Sequence, residues 1–308
     1  MEFSHITVLL KEAVDGLDIK GDGVYADGTA GGGGHSAEIL SRLSNGGTLY
    51  CIDRDPDAIA TVTERFSGDR RVHIVNGRFG DIATLLKDEG VSGLDGVILD
   101  IGVSSHQLDE RSRGFSYHEE APLDMRMSQS GATAADLVNT LDVGELSRII
   151  SLYGEEKYAY SIAKGIIRYR GTKPIETTTE LAEIVKENVP QRVRRDGHPA
   201  RKTFQAIRIA VNHELEELEN GLEGAFELLN KGGRLSVITF HSLEDRIVKQ
   251  FMKGKAQGCT CPKDFPVCVC GNKPKVRIIT GKPILPSDGE LELNPRARSA
   301  KLRVCEKL

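Results

Sequence analysis

Hydrophobic and polar positions alternate between two spacings in the first third of the chain. Short apolar runs with the character of buried strands occupy residues 24–27, 48–53, 72–75 and 96–101. Between these runs, apolar residues recur at helical spacing in residues 35–43, 56–66 and 82–88. Pro56 suits the first turn of its helix, and Asp55 stands where a capping residue is expected. The alternation predicts a parallel sheet whose strands are joined by right-handed helical crossovers.

The pattern changes after residue 101, where the fourth apolar run ends. Residues 102–122 have the composition of a loop, and residues 134–229 are largely helical in pattern. The clearest helical segments are 143–153, 158–169, 179–189 and 203–229. Breaks rich in Pro, Gly and Thr separate these segments, so the middle of the chain is predicted to be an all-helical insertion.

Strand patterns return near the end of the chain, at residues 234–240, 276–280 and 300–305. A helix is predicted at residues 243–252, with Ser242 as its cap. We therefore predict one α/β domain, residues 1–104 and 215–308, with a mainly parallel sheet and helices on both faces. Residues 105–214 form the inserted domain. The insertion begins and ends near the carboxyl ends of strands, which suits a substrate-binding lid over a ligand site.

The first predicted strand ends at Asp27 and continues into a glycine-rich loop and a helix. Glycines there allow a sharp turn and close approach of a ligand. The second strand ends at Asp53, an acid that can accept hydrogen bonds from ribose hydroxyls. Gly32, Gly34 and Ala37 fit the permissive dinucleotide fingerprint, so an NAD-binding oxidoreductase is one interpretation. Asp27 would repel a pyrophosphate and attract a cation, which favours S-adenosylmethionine, a ligand with a sulfonium, an ammonium and no phosphate.

The fourth strand carries Asp100 to the same edge of the predicted sheet, followed by small and then polar residues. We predict that Asp100 faces the methyl donor or the acceptor group, and that Gln107 reaches the cofactor. The alternative is that Asp100 ends the strand and that Ser104 and Ser105 form a turn. Asp27 and Asp53 are aimed at the same edge, and this coincidence favours a functional role for Asp100.

Composition limits the class of protein. The chain has 308 residues, 39% hydrophobic and 28% charged, which is an ordinary globular mixture. No apolar run is long enough to span a bilayer, so no membrane partner is expected. The first ten residues lack the layout of a secretion signal, which predicts a cytoplasmic protein. With a net charge of -4, a nucleic-acid partner would have to bind local basic patches.

Two basic clusters are candidates for phosphate contacts, although such clusters are also common on solvated faces. The first comprises Arg192, Arg194, Arg195, Arg201, Lys202 and Arg208. The second comprises Lys249, Lys253, Lys255, Lys263, Lys273, Lys275 and Arg277. His198, just before Pro199, could contact substrate or make a loop hydrogen bond.

The chain contains six cysteines, of which four form two C-x-C pairs at Cys259, Cys261, Cys268 and Cys270. Such a group in a cytosolic protein favours a structural zinc site over disulfides, although the spacing is not that of a C-x-x-C knuckle. Cys51 and Cys305 lie in strand patterns and are predicted to be buried.

Taken together, the motifs of this chain resemble, nearly from end to end, those of the bacterial 16S rRNA cytosine-N4 methyltransferase family. The residues that carry the resemblance are Asp27-Gly-Thr-Ala-Gly-Gly-Gly-Gly-His35-Ser36, Asp53-Arg-Asp-Pro56, Asp100-Ile-Gly-Val-Ser-Ser105, Arg113-Gly-Phe115-Ser, Pro122-Leu-Asp-Met-Arg126-Met, His198-Pro-Ala-Arg201, Thr203-Phe-Gln-Ala-Ile-Arg208, Phe240-His-Ser-Leu-Glu-Asp-Arg246 and Asn294-Pro-Arg-Ala-Arg298-Ser. Several of these motifs are long and idiosyncratic, so chance similarity is a poor explanation.

The resemblance implies a class I Rossmann-like methyltransferase fold with an inserted helical domain. It implies S-adenosyl-L-methionine as cofactor and, as target, a cytidine in the decoding region of 16S rRNA within the small ribosomal subunit. Cofactor contacts carried over from the family are Gly33, Gly34, His35, Asp53, Phe79, Asp100 and Gln107. The resemblance makes Arg126 and Arg298 further substrate candidates beside Arg201 of the first basic cluster. Our own hypothesis adds Phe115 as a candidate to stack on the base.

The resemblance leaves the acceptor-activating group open. Many amino-methyltransferases carry an Asp/Asn-Pro-Pro-aromatic sequence after the fourth strand, where this chain has Asp100-Ile-Gly-Val. We expect Asp100, or a carbonyl in residues 102–104, to accept a hydrogen bond from the target amino group. Phe115 could equally serve in packing of the lid. A methyltransferase for protein or small molecules and a non-enzymatic RNA-binding module remain alternatives, and a homodimer is one open oligomeric state.

Overall fold

The computed structural model describes residues 7–192, 198–261, 267 and 269–308. The chain divides into two compact units, one of Met1–Gly102 with Leu215–Leu308 and one of Val103–Glu214. The predicted phosphate contacts Arg194, Arg195 and Lys263, and the predicted metal ligand Cys268, lie outside the described residues. Among the helices that are described, none is both long and apolar enough to cross a membrane.

The first unit is built on a seven-stranded sheet with the order β3-β2-β1-β4-β5-β7-β6. The strands are β1 (Val24–Asp27), β2 (Thr48–Asp53), β3 (Val72–Asn76), β4 (Leu94–Asp100), β5 (Leu229–Thr239), β6 (Val276–Ile278) and β7 (Lys301–Lys307). Strands β1 to β5 pair in parallel, and β7 runs antiparallel between β5 and β6. The predicted mainly parallel α/β sheet is thus confirmed.

The helices follow the chain in both units. They are α1 (Leu10–Gly16), α2 (Gly34–Arg42), α3 (Pro56–Arg65), α4 (Ile82–Asp88), α5 (Ser105–Asp109), α6 (Ala134–Thr140), α7 (Val143–Gly154), α8 (Ala159–Arg170), α9 (Thr178–Glu187), α10 (Arg201–Asn212), α11 (Glu214–Leu228), α12 (Ser242–Ala256) and α13 (Asp288–Leu293). Asp55 caps α3 as predicted, because its side chain accepts a hydrogen bond from the Asp57 N–H at 3.2 Å.

Both faces of the sheet are covered by apolar helix faces. One core joins the sheet to α4, α11 and α12, and the other joins it to α1, α2 and α3. Successive residues of β2 alternate between these cores, with Leu49 and Cys51 in one and Tyr50 and Ile52 in the other. Burial on both faces explains why the parallel strands are continuous apolar runs in the sequence.

The second unit has a hydrophobic core of its own, formed by helices α6 to α10 and the segment that precedes them. Helix α7 packs against α8 and α10, and α8 packs against α9. Within the described part of this unit, strand pairing is limited to a single bridge between Pro122 and Thr177. This unit therefore has the helical character that the spacing of its apolar residues predicts.

Three local predictions were wrong. Residues 102–122 are not one loop, because α5 begins after Ser104, and Ser104 and Gln107 cap each other's backbone N–H groups at 3.1 Å. The predicted helix 203–229 is two helices, interrupted where His213 adopts a left-handed φ of 52°. The cap of α12 is His241 rather than Ser242, with Glu244 completing a capping box.

Candidate active site

Three carboxylates end three neighbouring strands of the first unit. Asp27 ends β1, Asp53 ends β2 and Asp100 ends β4, and β1 lies between the other two. The strand order reverses between β1 and β4, which makes this edge the switch point where ligands of open α/β sheets bind. The sheet therefore gathers at one edge the acids that the sequence pattern aims there.

Asp27 is buried and holds the glycine-rich loop to the start of α2. Its carboxylate accepts hydrogen bonds from Ser36 Oγ at 2.7 Å and from the Thr29 N–H at 3.1 Å. Burial raises the pKa of Asp27 to about 6, although both hydrogen bonds oppose the increase. Asp27 therefore shapes the turn that begins the glycine-rich loop, and its direct action on a ligand stays a prediction.

Asp53 also supports the loop, but from the neighbouring strand. One carboxylate oxygen accepts from the Gly31 N–H and the other from the Asp55 N–H, both at 2.8 Å. Burial raises the pKa of Asp53 above its ordinary value. Each carboxylate oxygen has a second lone pair, so the group retains acceptor capacity for the hydroxyls of a ribose.

The glycines of the loop are needed where they stand. Gly33 precedes α2 with a φ of 77°, a conformation that costs little only for glycine. Gly34 lies so close to the Thr7 side chain that a Cβ atom would overlap it. His35 follows and is buried, with its Nε2 atom 3.1 Å from the Val8 carbonyl oxygen. Since a carbonyl can only accept, Nε2 carries the proton and donates it.

Asp100, at the end of β4, is partly exposed. Its backbone N–H donates to Thr29 Oγ1 at 2.7 Å, and its side chain keeps 23% of its surface exposed. The Oδ1 atom is buried and has no hydrogen-bond partner among the described residues. Burial, together with the charges of Asp27 and Glu244, raises the pKa of Asp100 to about 8. At this edge of the sheet, such an oxygen could accept a hydrogen bond from a donor group of a bound ligand.

Glu244, which was not among the site residues expected from sequence, is one of the acids whose charge raises the pKa of Asp100. It is fully buried at the start of α12, where it accepts the N–H groups of Phe240 at 2.8 Å and His241 at 3.0 Å. The sequence marks Glu244 only by its place near the predicted start of α12. An acid at a helix start is usually solvent-exposed, so this place does not indicate a binding site.

Phe79 lies in a short 3-10 turn after β3 and packs against the core. A Cβ atom at Gly221 of α11 would lie 2.5 Å from Phe79 Cδ2, so the ring occupies space that only glycine leaves free. The predicted contact with an adenine ring stays a prediction. Gly221 is far from Phe79 in sequence, and nothing in the sequence indicates this pairing.

A buried ion pair lies beside the loop that follows β2. Arg54 Nη1 is 2.6 Å from Glu217 Oε2, with side chains 13% and 5% exposed. This pair fixes the segment directly after Asp53 to α11. Sequence patterns do not reveal it, because its two members are separated by most of the helical insertion.

The second unit contains Gln107, Phe115 and Arg126, whereas Arg298 lies in the first unit, in a short 3-10 turn at Pro295–Ser299. Gln107 is buried, and its Oε1 atom accepts the Ser104 N–H in the cap of α5. Phe115 is 7% exposed and belongs to the core of this unit, as its packing alternative predicted. Arg126 forms a two-pronged pair with Asp124 at 2.9 and 2.7 Å and donates to the Gly131 carbonyl at 3.1 Å. Their roles toward cofactor or substrate stay predictions.

A group of rings in the same unit was not foreseen as a group. Tyr117 stacks on His198 with ring centroids 4.4 Å apart, and Phe204 meets Tyr117 edge-on at 5.4 Å. Arg201 is exposed at the start of α10, close enough for its charge to lower the pKa of Tyr117, which burial raises. Burial and the charge of His118 lower the pKa of His198, which favours its neutral form.

The basic clusters are only partly available to a polyanion. Arg208 forms a two-pronged pair with Glu214 at 2.8 and 2.9 Å, and Arg277 pairs with Glu306 at 2.8 and 2.9 Å. Lys255 pairs with Glu223 at 2.6 Å. These charges already have internal partners, which weakens the case for them as phosphate contacts.

The strand order, the parallel β1 to β5, the antiparallel β7 and the acidic edge define the class I methyltransferase fold. The chain belongs to the MraW methylase family, whose model matches residues 2–308. It is 54% identical over 311 residues to ribosomal RNA small subunit methyltransferase H of Brevibacillus brevis, covering 100% of this chain and 99% of the relative. It is 53% identical over 309 residues to the protein of that name from Clostridium botulinum (strain Loch Maree / Type A3), covering 100% of both.

Proposed function

We propose that this protein is an S-adenosylmethionine-dependent methyltransferase that methylates the N4 atom of a cytidine in the decoding region of 16S rRNA. Sequence identity of 54% and 53% along the whole chain to two small-subunit rRNA methyltransferases supports rRNA as the class of substrate. The observation that carries the chemistry is the unpartnered Oδ1 atom of Asp100 at the switch point of the sheet. It supplies an acceptor where a cationic donor or an amino group would be held.

The donor set fits S-adenosylmethionine better than NAD. Asp53 offers remaining lone pairs for ribose hydroxyls, and Asp27 and Asp100 place two further carboxyl groups close to the glycine-rich loop, where the positive charge of a bound ligand would favour their ionised forms. A pyrophosphate would be repelled by these charges, whereas a sulfonium and an ammonium are attracted. Gly33, Gly34, His35, Phe79 and Gln107 complete the proposed set of contacts. When bound, this ligand supplies a methyl group activated by a positively charged sulfur.

Cytosine N4 is a poor nucleophile because its lone pair is delocalised into the ring. In this proposal Asp100 accepts a hydrogen bond from the amino group, so that the nitrogen lone pair is freed for in-line attack. When the amino nitrogen takes a methyl group from the sulfonium it would lose a proton, and the Asp100 carboxylate would receive that proton. The raised pKa makes the ionised Asp100 a stronger base than an ordinary carboxylate, and the positive charge of a bound methyl donor would favour that ionised form.

The RNA would be bound by charge and by stacking. Recognition of an unpaired base relies on aromatic side chains that offer a flat face, and Tyr117 and His198 already form such a stack. We propose Tyr117 and His198 as candidates for base contact in addition to Phe115, although Phe115 is buried in the core. Arg201 and Lys202 at the start of α10 are the proposed phosphate contacts, with Arg126 and Arg298 as further candidates. Each lost phosphate contact should lower the salt dependence by about one ion.

We further propose that the substrate is rRNA within the small ribosomal subunit, which implies action in the cytoplasm. A homodimer is a further proposal, which sedimentation of the purified protein would test. The reaction itself is tested by incubating small subunits from a strain that lacks the enzyme with purified protein and a labelled methyl donor. Nucleoside mass spectrometry should then detect N4-methylcytidine. Free 16S rRNA in a parallel reaction distinguishes the two forms of substrate.

The variant that tests the role of Asp100 is Asp100→Asn, whose side chain has the same shape but cannot receive a proton. Turnover should fall at least a hundredfold, as expected for loss of a general base. A modification on another nucleoside, or none on either form of the RNA, would contradict the proposed target. Thermal stabilisation by NAD but not by S-adenosylhomocysteine would instead support the oxidoreductase alternative.

A further inference from the structure

A cluster of thiols lies in the connection between α12 and β6, apart from the acidic edge of the sheet. The Sγ atoms of Cys259, Cys261 and Cys270 all lie within 4.8 Å of one another. The Sγ atoms of Cys259 and Cys270 are 3.7 Å apart. Three thiols converging on one point, each exposed or half-buried, require an explanation that packing does not provide.

The spacing of the thiols agrees with a metal-bound geometry. In a tetrahedral zinc site with Zn–S bonds of about 2.3 Å, two ligand sulfurs lie about 3.8 Å apart. The distance of 3.7 Å between Cys259 and Cys270 matches this value. The sulfurs are therefore arranged as the edge of a coordination tetrahedron would require.

Backbone N–H groups point at the sulfurs as they do around bound thiolates. The Val269 N–H donates to Cys261 Sγ at 3.3 Å, and the Thr260 and Asn272 N–H groups donate to Cys270 Sγ at 3.3 and 3.4 Å. Such hydrogen bonds stabilise a thiolate over a thiol and orient it toward a metal. The backbone thus supports the charge state that zinc requires.

Among the described residues of this connection, few contacts hold the outer part in place. Its base is closed by the Lys275 N–H, which donates to the Lys255 carbonyl at 2.8 Å, and by the Asn272 side chain, which donates to the Gly258 carbonyl at 2.8 Å. Val269, next to Cys270, is 74% exposed, so apolar burial does not stabilise this part. A metal would supply order that the core does not.

We infer that Cys259, Cys261 and Cys270 form a thiolate site for a structural Zn²⁺ ion that clips this connection. The inference rests on these three residues alone, because Cys268 lies outside the described part of the chain. The site lies apart from the proposed catalytic residues and does not depend on the proposed function.

The test is metal analysis of full-length protein purified with reductant and without chelator. Mass spectrometry of the metal should find about one zinc per chain, and Cys259→Ser and Cys261→Ser should each retain less than a tenth of it. Cys305→Ala is the matched control, because this buried thiol lies in β7 and its loss should leave the zinc content unchanged. Circular dichroism verifies that each variant is folded.

Two further readouts separate a built site from adventitious binding. Replacement of zinc by Co²⁺ should give the intense visible absorption of a tetrahedral cobalt–thiolate centre, absent in Cys259→Ser. Trypsin should cut the connection at least tenfold faster after chelation or in either serine variant than in the zinc-loaded protein. Zinc below a tenth per chain after reconstitution, or a disulfide between these cysteines in the freshly purified protein, would overturn the inference.

Discussion

The Oδ2 atom of Asp100 lies 3.7 Å from the Nδ1 atom of His35, too far for a hydrogen bond. The other ring nitrogen of His35 donates to the Val8 carbonyl, so in the neutral ring Nδ1 is a lone pair that faces the carboxylate. This neighbour does not stabilise the charge of Asp100. The geometry agrees with a carboxyl whose pKa is raised to about 8 by burial and nearby acids.

Asp100 should therefore lower the stability of the unliganded protein as the pH rises. In the folded protein its pKa is about 8 against 3.8 in the unfolded chain, so between these values only the folded state retains the proton. The free energy of unfolding then falls with increasing pH. Asp100→Asn cannot ionise and should be more stable than the wild type at pH 8 by on the order of 1–3 kcal/mol, with the difference shrinking toward pH 4. Urea denaturation across this range measures it.

The control for this stability prediction is a ligand-binding measurement on the same variant. The more stable Asp100→Asn variant should bind S-adenosylhomocysteine more weakly, because an amide cannot pair with the ammonium group. The other acids with raised pKa values, Asp27 and Asp53, are present in both proteins, so most of their effect cancels in the difference. Stability curves of the two proteins that stay parallel from pH 4 to pH 8 would show that Asp100 is not a destabilising buried charge.

The strands and the acids at their ends could be predicted from sequence for one physical reason. Parallel strands buried on both faces are continuous apolar runs, and a polar residue directly after such a run marks the carboxyl edge. Asp53 and Asp100 were found in this way. The end of α10 was missed because His213 adopts a left-handed conformation that is usually signalled by glycine or asparagine.

The rest of the candidate site depends on pairings between distant segments. Glu244 acts on Asp100 only because α12 begins beside the end of β4, and no periodicity carries that information. The stack of Tyr117 on His198 is equally long-range, and His198 alone was ambiguous. The ion pair of Arg208 with Glu214 was missed for a related reason, since the composition of the basic cluster does not reveal it.

Asp53 should dominate binding of the ribose. Asp53→Ala removes the acceptor for the proposed hydroxyl contacts and also for the Gly31 and Asp55 N–H groups, so the loop loses its support. We expect calorimetry to show at least a tenfold loss in affinity for S-adenosylhomocysteine, in line with about 1.5–3 kcal/mol for a hydrogen-bonded charged group. Asp69→Ala is the control, because this carboxylate pairs with Arg71 on the surface at 2.7 Å. Equal affinity of the two variants would remove Asp53 from the binding site.

The buried pair of Arg54 and Glu217 should be costly to break from one side. Arg54→Met leaves the Glu217 carboxylate buried without its cation and should destabilise the protein by about 3–5 kcal/mol, and Glu217→Leu should do the same for the guanidinium. The double variant removes both charges and should recover most of the loss. Denaturation midpoints of the four proteins form the cycle. A loss below about 1 kcal/mol in Arg54→Met would indicate that water replaces the pair.

A side chain at Gly221 should destabilise the protein, because Phe79 occupies the space beside this glycine. In Gly221→Ala the new Cβ atom would lie 2.5 Å from Phe79 Cδ2, so the ring or α11 must shift. We expect a loss of about 1–3 kcal/mol in the free energy of unfolding, measured by urea denaturation, although alanine is the better helix former. Gly254→Ala is the matched control, because this glycine also lies in a helix, α12, but a Cβ atom there would meet no described atom within 4 Å. Alanine at that position should stabilise the protein by about 0.5–1 kcal/mol. If both substitutions stabilise the protein, the ring of Phe79 does not fill the space beside Gly221.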